Sequence, residues 1–151
     1  MLGNQYRWHK AERSLAMIAM GLLVSCSVAP VAPEDTDQWK NSQRPVLKER
    51  AEGRWAALIK RDMDKVYAYN TPAYRDVVTL QQFQGKYGRA VNWTVAEAQD
   101  IRYDAPTVAS VSVEVTYQMA MPGVRGKLLE DKKVLTEKWL YIDGVWWYTA
   151  Q

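Results

Sequence analysis

Past Gly88 the apolar residues of this chain change their spacing from every third or fourth position to every second, and that switch fixes what it can fold into. Before it, Val46, Leu47, Ala51, Trp55, Leu58 and Ile59 recur at i, i+3/i+4 among charged residues, the pattern of a helix packed on one face. Pro45 is expected in its first turn. Asp62 or its neighbours begin a short helix through Lys65, Val66, Tyr67 and Tyr69. Thr71-Pro72 reads as an N-cap with proline at the first helical position, and Thr79 to Gln82 has capping-box spacing. Gly85 or Gly88 ends the helical half.

After the switch, Val91, Trp93 and Val95 alternate with polar neighbours, as do Val111, Val113, Val115, Tyr117 and Met119. A third strand is expected from about Lys127 to Ile142, and Asp143-Gly144 is a two-residue hairpin signal leading into Val145-Trp146-Trp147-Tyr148. Alternation of this kind suits an antiparallel sheet covered on one face. Helices first and strands after predict an α+β fold with N-terminal helices packed on that sheet.

The N-terminus has a different character. Arg7, Lys10 and Arg13 precede an uncharged run, Ser14 to Ser25, and then Cys26, the one cysteine of the chain. Leu23-Val24-Ser25-Cys26 resembles a bacterial lipobox, and the charged and apolar segments before it are laid out as in a secretory signal. The resemblance implies cleavage before Cys26, acylation of its thiol (palmitate among the chains) and attachment to the cell envelope. Residues 1–25 would be signal peptide, 26–45 lipidated cysteine and flexible linker, and 46–151 the folded domain. An uncleaved anchoring helix is the other reading, although Pro30 and Pro33 leave an apolar helix of only about 15 residues, short of the roughly 20 that span a bilayer. Either way the domain faces the periplasm. Ser27, in place of the aspartate that retains enteric lipoproteins at the inner membrane, favours the outer membrane.

Several chemistries are excluded once the leader is set aside. His9, the one histidine, belongs to it, which removes a histidine base, histidine-activated nucleophiles and ordinary zinc sites from the mature chain. One cysteine allows no internal disulfide. Removing the leader takes the formal net charge from +3 to +1, so no concentrated positive surface predicts nucleic acid as a partner. No cofactor or metal is expected.

Three segments together resemble the nuclear-transport-factor-2-like superfamily, also called SnoaL-like or ketosteroid-isomerase-like. They are Arg54-Trp55-Ala56-Ala57-Leu58-Ile59-Lys60-Arg61-Asp62, then Val66 to Arg75, then Trp139-Leu140-Tyr141-Ile142-Asp143-Gly144-Val145-Trp146-Trp147. The resemblance covers nearly all of 46–151. It implies a cone in which a curved antiparallel sheet wraps around the helices and often leaves a pocket at the open end. It does not fix an activity, because the superfamily hosts isomerases, dehydratases, secretion-system subunits and inert scaffolds.

Without histidine, an enzyme of this type would pair a carboxylate with a tyrosine, as ketosteroid isomerases do. Asp62, Asp76, Glu97, Asp100, Glu114 and Glu137 are the candidate carboxylates, with Tyr67, Tyr74, Tyr117 and Tyr141 as candidate donors, and most of these carboxylates lie beside a lysine or arginine, as on a solvated surface. Leu135, Glu137, Trp139 and Tyr141 share one strand face. If Trp139 turns toward the helices, Glu137 points into the concave side, and Tyr74, Tyr117, Glu137, Trp139 and Tyr141 are the candidate pocket-lining residues. A Glu137 without special surroundings would titrate near about 4.3. No catalytic residue is assigned, and Cys26 is the lipidation site. Seven Trp and nine Tyr against one Phe favour half-buried, interfacial rings with a polar handle. The loop Met119 to Lys127, with two methionines and a Pro-Gly turn, is either an ordinary hairpin tip or an adaptable partner surface.

The sequence therefore predicts a cell-envelope lipoprotein with a non-catalytic binding or assembly domain. The alternatives are an uncleaved, membrane-anchored accessory subunit of a larger envelope complex and a small-molecule isomerase or hydratase. Expected partners are the membrane, through lipid on Cys26 or an uncleaved helix, and a protein of the envelope. A small-molecule ligand stays open.

Overall fold

The computed structural model describes residues 36–88, 91–121, 123 and 126–150. Four helices, α1 (Asp37–Ile59), α2 (Met63–Ala68), α3 (Pro72–Val77) and α4 (Leu80–Gln84), precede four strands, β1 (Val91–Ala105), β2 (Val108–Ala120), β3 (Leu128–Ile142) and β4 (Val145–Thr149). The strands form one antiparallel sheet in the order β1-β2-β3-β4. The fold is α+β. The leader, Cys26 and linker residues up to 35 lie outside the described residues, as do Pro122, Val124 and Arg125 of the β2–β3 loop.

The expected linker ends earlier than the composition suggested, since residues 37–45 belong to α1 and Pro45 is interior to that helix, not in its first turn. An interior proline costs a helix about 3 kcal/mol. Tertiary contacts on the same turns offset it. Thr36 caps the helix by accepting from the Trp39 amide at 3.1 Å. The Trp39 ring packs on Tyr141 and Trp146, with centroids 4.9 and 6.1 Å away. Tyr103 Oη donates to the Lys40 carbonyl at 2.7 Å, and Arg44 Nη1 to the Ile101 carbonyl at 2.6 Å. Polar composition hid this first stretch because its anchors are one tryptophan and three polar side chains, not an apolar stripe.

The remaining helix starts follow their caps. Asp62, Thr71 and Thr79 each accept a backbone N–H of the first turn, Pro72 opens α3, and Thr79 and Gln82 form both halves of a capping box. Asp143 and Gly144, with φ of 50° and 81°, make the β3–β4 turn, where positive φ at both positions matches the strand twist.

Val111, Val113, Val115 and Ala109 of β2, with Ala98 and Ile101 of β1, line the inner face of the sheet under Leu47, Ala51, Trp55 and Leu58 of α1. In β1 the simple alternation fails. A register shift between Trp93 and Val95 places Trp93 opposite Tyr117 but Ala96 opposite Val115, so Val95 stands on the outer face at 56% exposure. One extra residue reverses the side chains beyond it, and a second shift between Ala98 and Asp100 returns Ile101 to the inner face opposite Val111.

The helix and the turn after it also seal backbone groups at the sheet margins. Arg61, itself at φ 59°, donates to the Gly88 and Val91 carbonyls. Glu52 accepts from the Ala98 amide, and Arg50 Nε donates to the Trp146 carbonyl at 2.5 Å. The far side of β4 is stitched to the α2–α3 turn through Tyr148 N–H to the Tyr69 carbonyl, 2.9 Å, and Thr71 N–H to the Tyr148 carbonyl, 3.2 Å.

Trp55 is nearly fully buried and meets Trp93 edge-on at 5.4 Å. Trp55→Ala is expected to cost about 3–5 kcal/mol of stability in urea unfolding, as for an emptied aromatic site. A second expectation concerns the outer face, where Lys138, Ser110 and Arg102 all donate to the Asp104 carboxylate. These donors, Lys138 foremost and Ser110 next, hold its pKa well below the usual aspartate range. Because the folded pKa is depressed, the contribution is complete above the ordinary aspartate value and is lost as pH falls below it. Asp104→Asn should therefore lower stability at neutral pH and flatten the acid limb of a stability–pH curve.

Candidate functional site

The most constrained polar group inside the domain is Glu137, and the structure places it on the inner face with 5% exposure. It is not solvated. Its partner is Arg54 of α1, 83 residues earlier, whose Nη1 donates to Oε1 at 2.6 Å. Trp139 Nε1 donates to the other oxygen at 3.2 Å. The Arg54 guanidinium lies 3.7 Å over the Tyr148 ring, and its Nη2 reaches Tyr87 Oη at 3.4 Å. Burial pushes the Glu137 carboxyl above its ordinary value, and Arg54 and Trp139 pull against that shift. The Trp55 indole also favours the charged form, at a geometry short of a hydrogen bond. Burial likewise raises Tyr87 and Tyr148, with Arg54 opposing in both.

Arg54 escaped the sequence reading because a charged residue on a helix is read as its wet face. The available signal was its spacing, three residues after Ala51 and four before Leu58 on the buried side.

Of the other four candidate pocket residues, Trp139 reaches this centre and the three tyrosines do not. Trp139 is fully buried and is a donor to Glu137. Tyr74 packs on Phe83, and its hydroxyl accepts from Lys86 at 3.1 Å. Tyr117 stacks edge-on with Trp93, and its hydroxyl donates to Asp131 on β3 at 3.3 Å. Tyr141 lies in the Trp39–Trp146 cluster at the opposite end. None of the five lines the two larger concavities of the surface. Aromatic rings and the ion pair occupy the space a pocket would need.

The first of those concavities, about 510 Å³, lies between α1, the end of α2 and the β3–β4 turn, lined by Glu49, Arg50, Gly53, Lys65, Tyr69 and Trp146 among others. Tyr69 closes over Gly53, where a Cβ would come within 2.6 Å of its hydroxyl. Arg50 sits 5.0 Å over the Tyr69 ring, and burial lowers its pKa. Two cations, one carboxylate and two rings can hold an acidic or aromatic group, but they include no nucleophile with an adjacent base. The second concavity, about 570 Å³, lies between the start of α1 and the end of β1, with Lys40, Arg44, Asp100 and Arg102 on its walls. Among the described residues, no three potential metal ligands cluster, and no helix is long and apolar enough to cross a membrane.

Removing one member of a buried pair strands the other charge. Arg54→Met is expected to cost about 3–5 kcal/mol in urea unfolding. The double change with Glu137→Leu should cost clearly less than the single one, because no unpaired charge remains.

No family model matches the sequence, and no curated protein matches it. Among solved structures, a SEC-C motif containing protein from Rhodopseudomonas palustris aligns with a TM-score of 0.49 at 12% identity, over 64% of this chain and 70% of that one.

Proposed function

We propose that this chain is a cell-envelope lipoprotein, cleaved before Cys26 and acylated there, whose α+β domain is a nuclear-transport-factor-2-like cone serving as a non-catalytic binding or assembly module. The observation that carries the non-catalytic part is the state of Glu137. An isomerase of this type needs a carboxylate free to move a proton at a bound substrate. Glu137, the buried inner-face carboxylate of β3, spends one oxygen on Arg54 and the other on Trp139. The order of elements, helices then a four-strand antiparallel meander, supports the cone. The lipobox and the charge layout before it support the anchor, with delivery to the outer membrane favoured by Ser27. An envelope protein is the expected partner.

Intact mass of the membrane-extracted protein tests the anchor. The expected species begins at Cys26 and carries acyl chains, each buried methylene of which adds about 0.8 kcal/mol of membrane affinity. Cys26→Ser should abolish both cleavage and acylation. A full-length mass without lipid, unchanged by that substitution, would support the uncleaved anchored subunit instead.

A further inference from the structure

We propose that the open edge of β3, Leu128 to Thr136, pairs antiparallel with the same segment of a second copy of this chain, joining two four-strand sheets into one of eight. β4 is much shorter than β3 and pairs only with Lys138 to Ile142. Beyond Lys138 that side of β3 has no strand among the described residues, and residues 128–134 are all exposed. The Tyr141 amide points to the β2 side, where the Thr107 carbonyl accepts it at 2.8 Å. By alternation, the even-numbered residues of β3 direct their backbone groups to the free side. The Lys132 amide donates to the Asp131 carboxylate, at 2.8 Å.

Side chains select the occupant. A two-fold pairing of antiparallel strands keeps like faces together, so odd residues must meet odd ones. With Lys132 opposite its own copy, the inner-face row reads Leu129 against Leu135, Asp131 against Lys133, Lys133 against Asp131 and Leu135 against Leu129. On this inner row every apolar residue meets an apolar one and every charge meets its opposite, while the outer row sets Glu130 against Val134 and Leu128 against Thr136. These odd pairs are the non-hydrogen-bonded ones, whose side chains approach most closely. The central Lys132 is already neutralised by Glu114 of its own chain at 3.0 Å. Sliding by one step to place Asp131 opposite its copy sets two carboxylates face to face and Leu129 against Lys133, which disfavours that register. Charges of one sign would guard an edge against pairing. Here the two signs on the inner row are ordered so that a copy of the segment satisfies them, and the pairing covers Leu128, Leu129 and Val134, which are 62%, 43% and 57% exposed.

The pairing does not depend on the lipid, so its failure and that of the anchor are separate results. The test is oxidative cross-linking of the full chain in its membrane. Lys132→Cys places two thiols on Cα atoms about 5.5 Å apart, within disulfide reach, whereas Asp131→Cys places them roughly 8 Å apart, beyond it. Lys132→Cys should give a dimer that the unsubstituted chain, with Cys26 alone, does not, and at least about fivefold more than Asp131→Cys. In the Lys132→Cys chain, adding Asp131→Lys or Lys133→Asp sets like charges opposite each other and should cut the yield about tenfold, taking two cross-strand pairs per dimer at the usual scale. Combining both swaps restores opposite charges and should restore the yield. Lys133→Asp leaves the Tyr117 contact to Asp131 intact, so its effect cannot come from loss of that bond. No dimer above the unsubstituted chain, a higher yield from Asp131→Cys, or a yield that ignores the swaps or is not rescued by combining them would overturn the proposal.

Discussion

The buried contact between Arg54 and Glu137 ties the two halves of this protein together, and its physics explains why the interior is shaped as it is. Two charges removed from water lose several kcal/mol of hydration each, recovered only where geometry is good and the remaining donors and acceptors are met. One short contact, an indole donor on the second oxygen and a tyrosine ring under the guanidinium meet most of those needs. Arg54 Nε has no hydrogen-bond partner among the described residues, a cost the buried pair carries. The pair therefore adds less to stability than to register. It ties one turn of α1 to one residue of β3, and shifting either element would strand a charge.

That requirement also accounts for the aromatic composition. A charge can be kept under cover by rings that are large, that present a π face to a cation and that carry one polar atom for the surroundings. Trp139, Tyr148, Tyr87 and Trp55 act in this way around Arg54 and Glu137. The same rings fill the concave side of the sheet. What could have been a pocket for a small molecule is packed, and the concavities that remain lie at the surface, where arginines and lysines line them.

The parts of the fold written in local chemistry were legible. The caps at Thr71 and Thr79, the Asp143-Gly144 turn, the strand alternation of β2 and the inward direction of Glu137 all depend on neighbours a few residues away, and the structure has them where the sequence put them. What was not legible depends on partners far along the chain. The first turns of α1 are held by Tyr103, Tyr141 and Trp146, so a polar, proline-containing stretch looked like linker. The bulge near Trp93 is a matter of pairing with β2, which no single-strand pattern reveals. The candidate pocket failed for a third reason. Residue faces could be read, but Tyr117 and Tyr141 lie at opposite ends of a long sheet, and shared facing is not shared place.

Unpaired strand edges invite association, and a protein that must stay monomeric covers them. Here α1 projects Arg44 and Glu52, and the turn after it Arg61, onto backbone groups of β1, while Arg50 and the α2–α3 turn occupy β4. Long polar side chains on the helix are thus spent on margins of the sheet, which is why several of its charges are not the solvated face their sequence suggests. The upper part of β3 is the exception among the described residues. It carries no cap from any helix, it is exposed on both faces, and its two aspartate and glutamate charges are balanced by two lysines in a fixed order. In a sheet whose other margins are met by α1 and by the turns after α1 and α2, an edge left open and marked by an ordered set of charges is a surface with a specificity of its own.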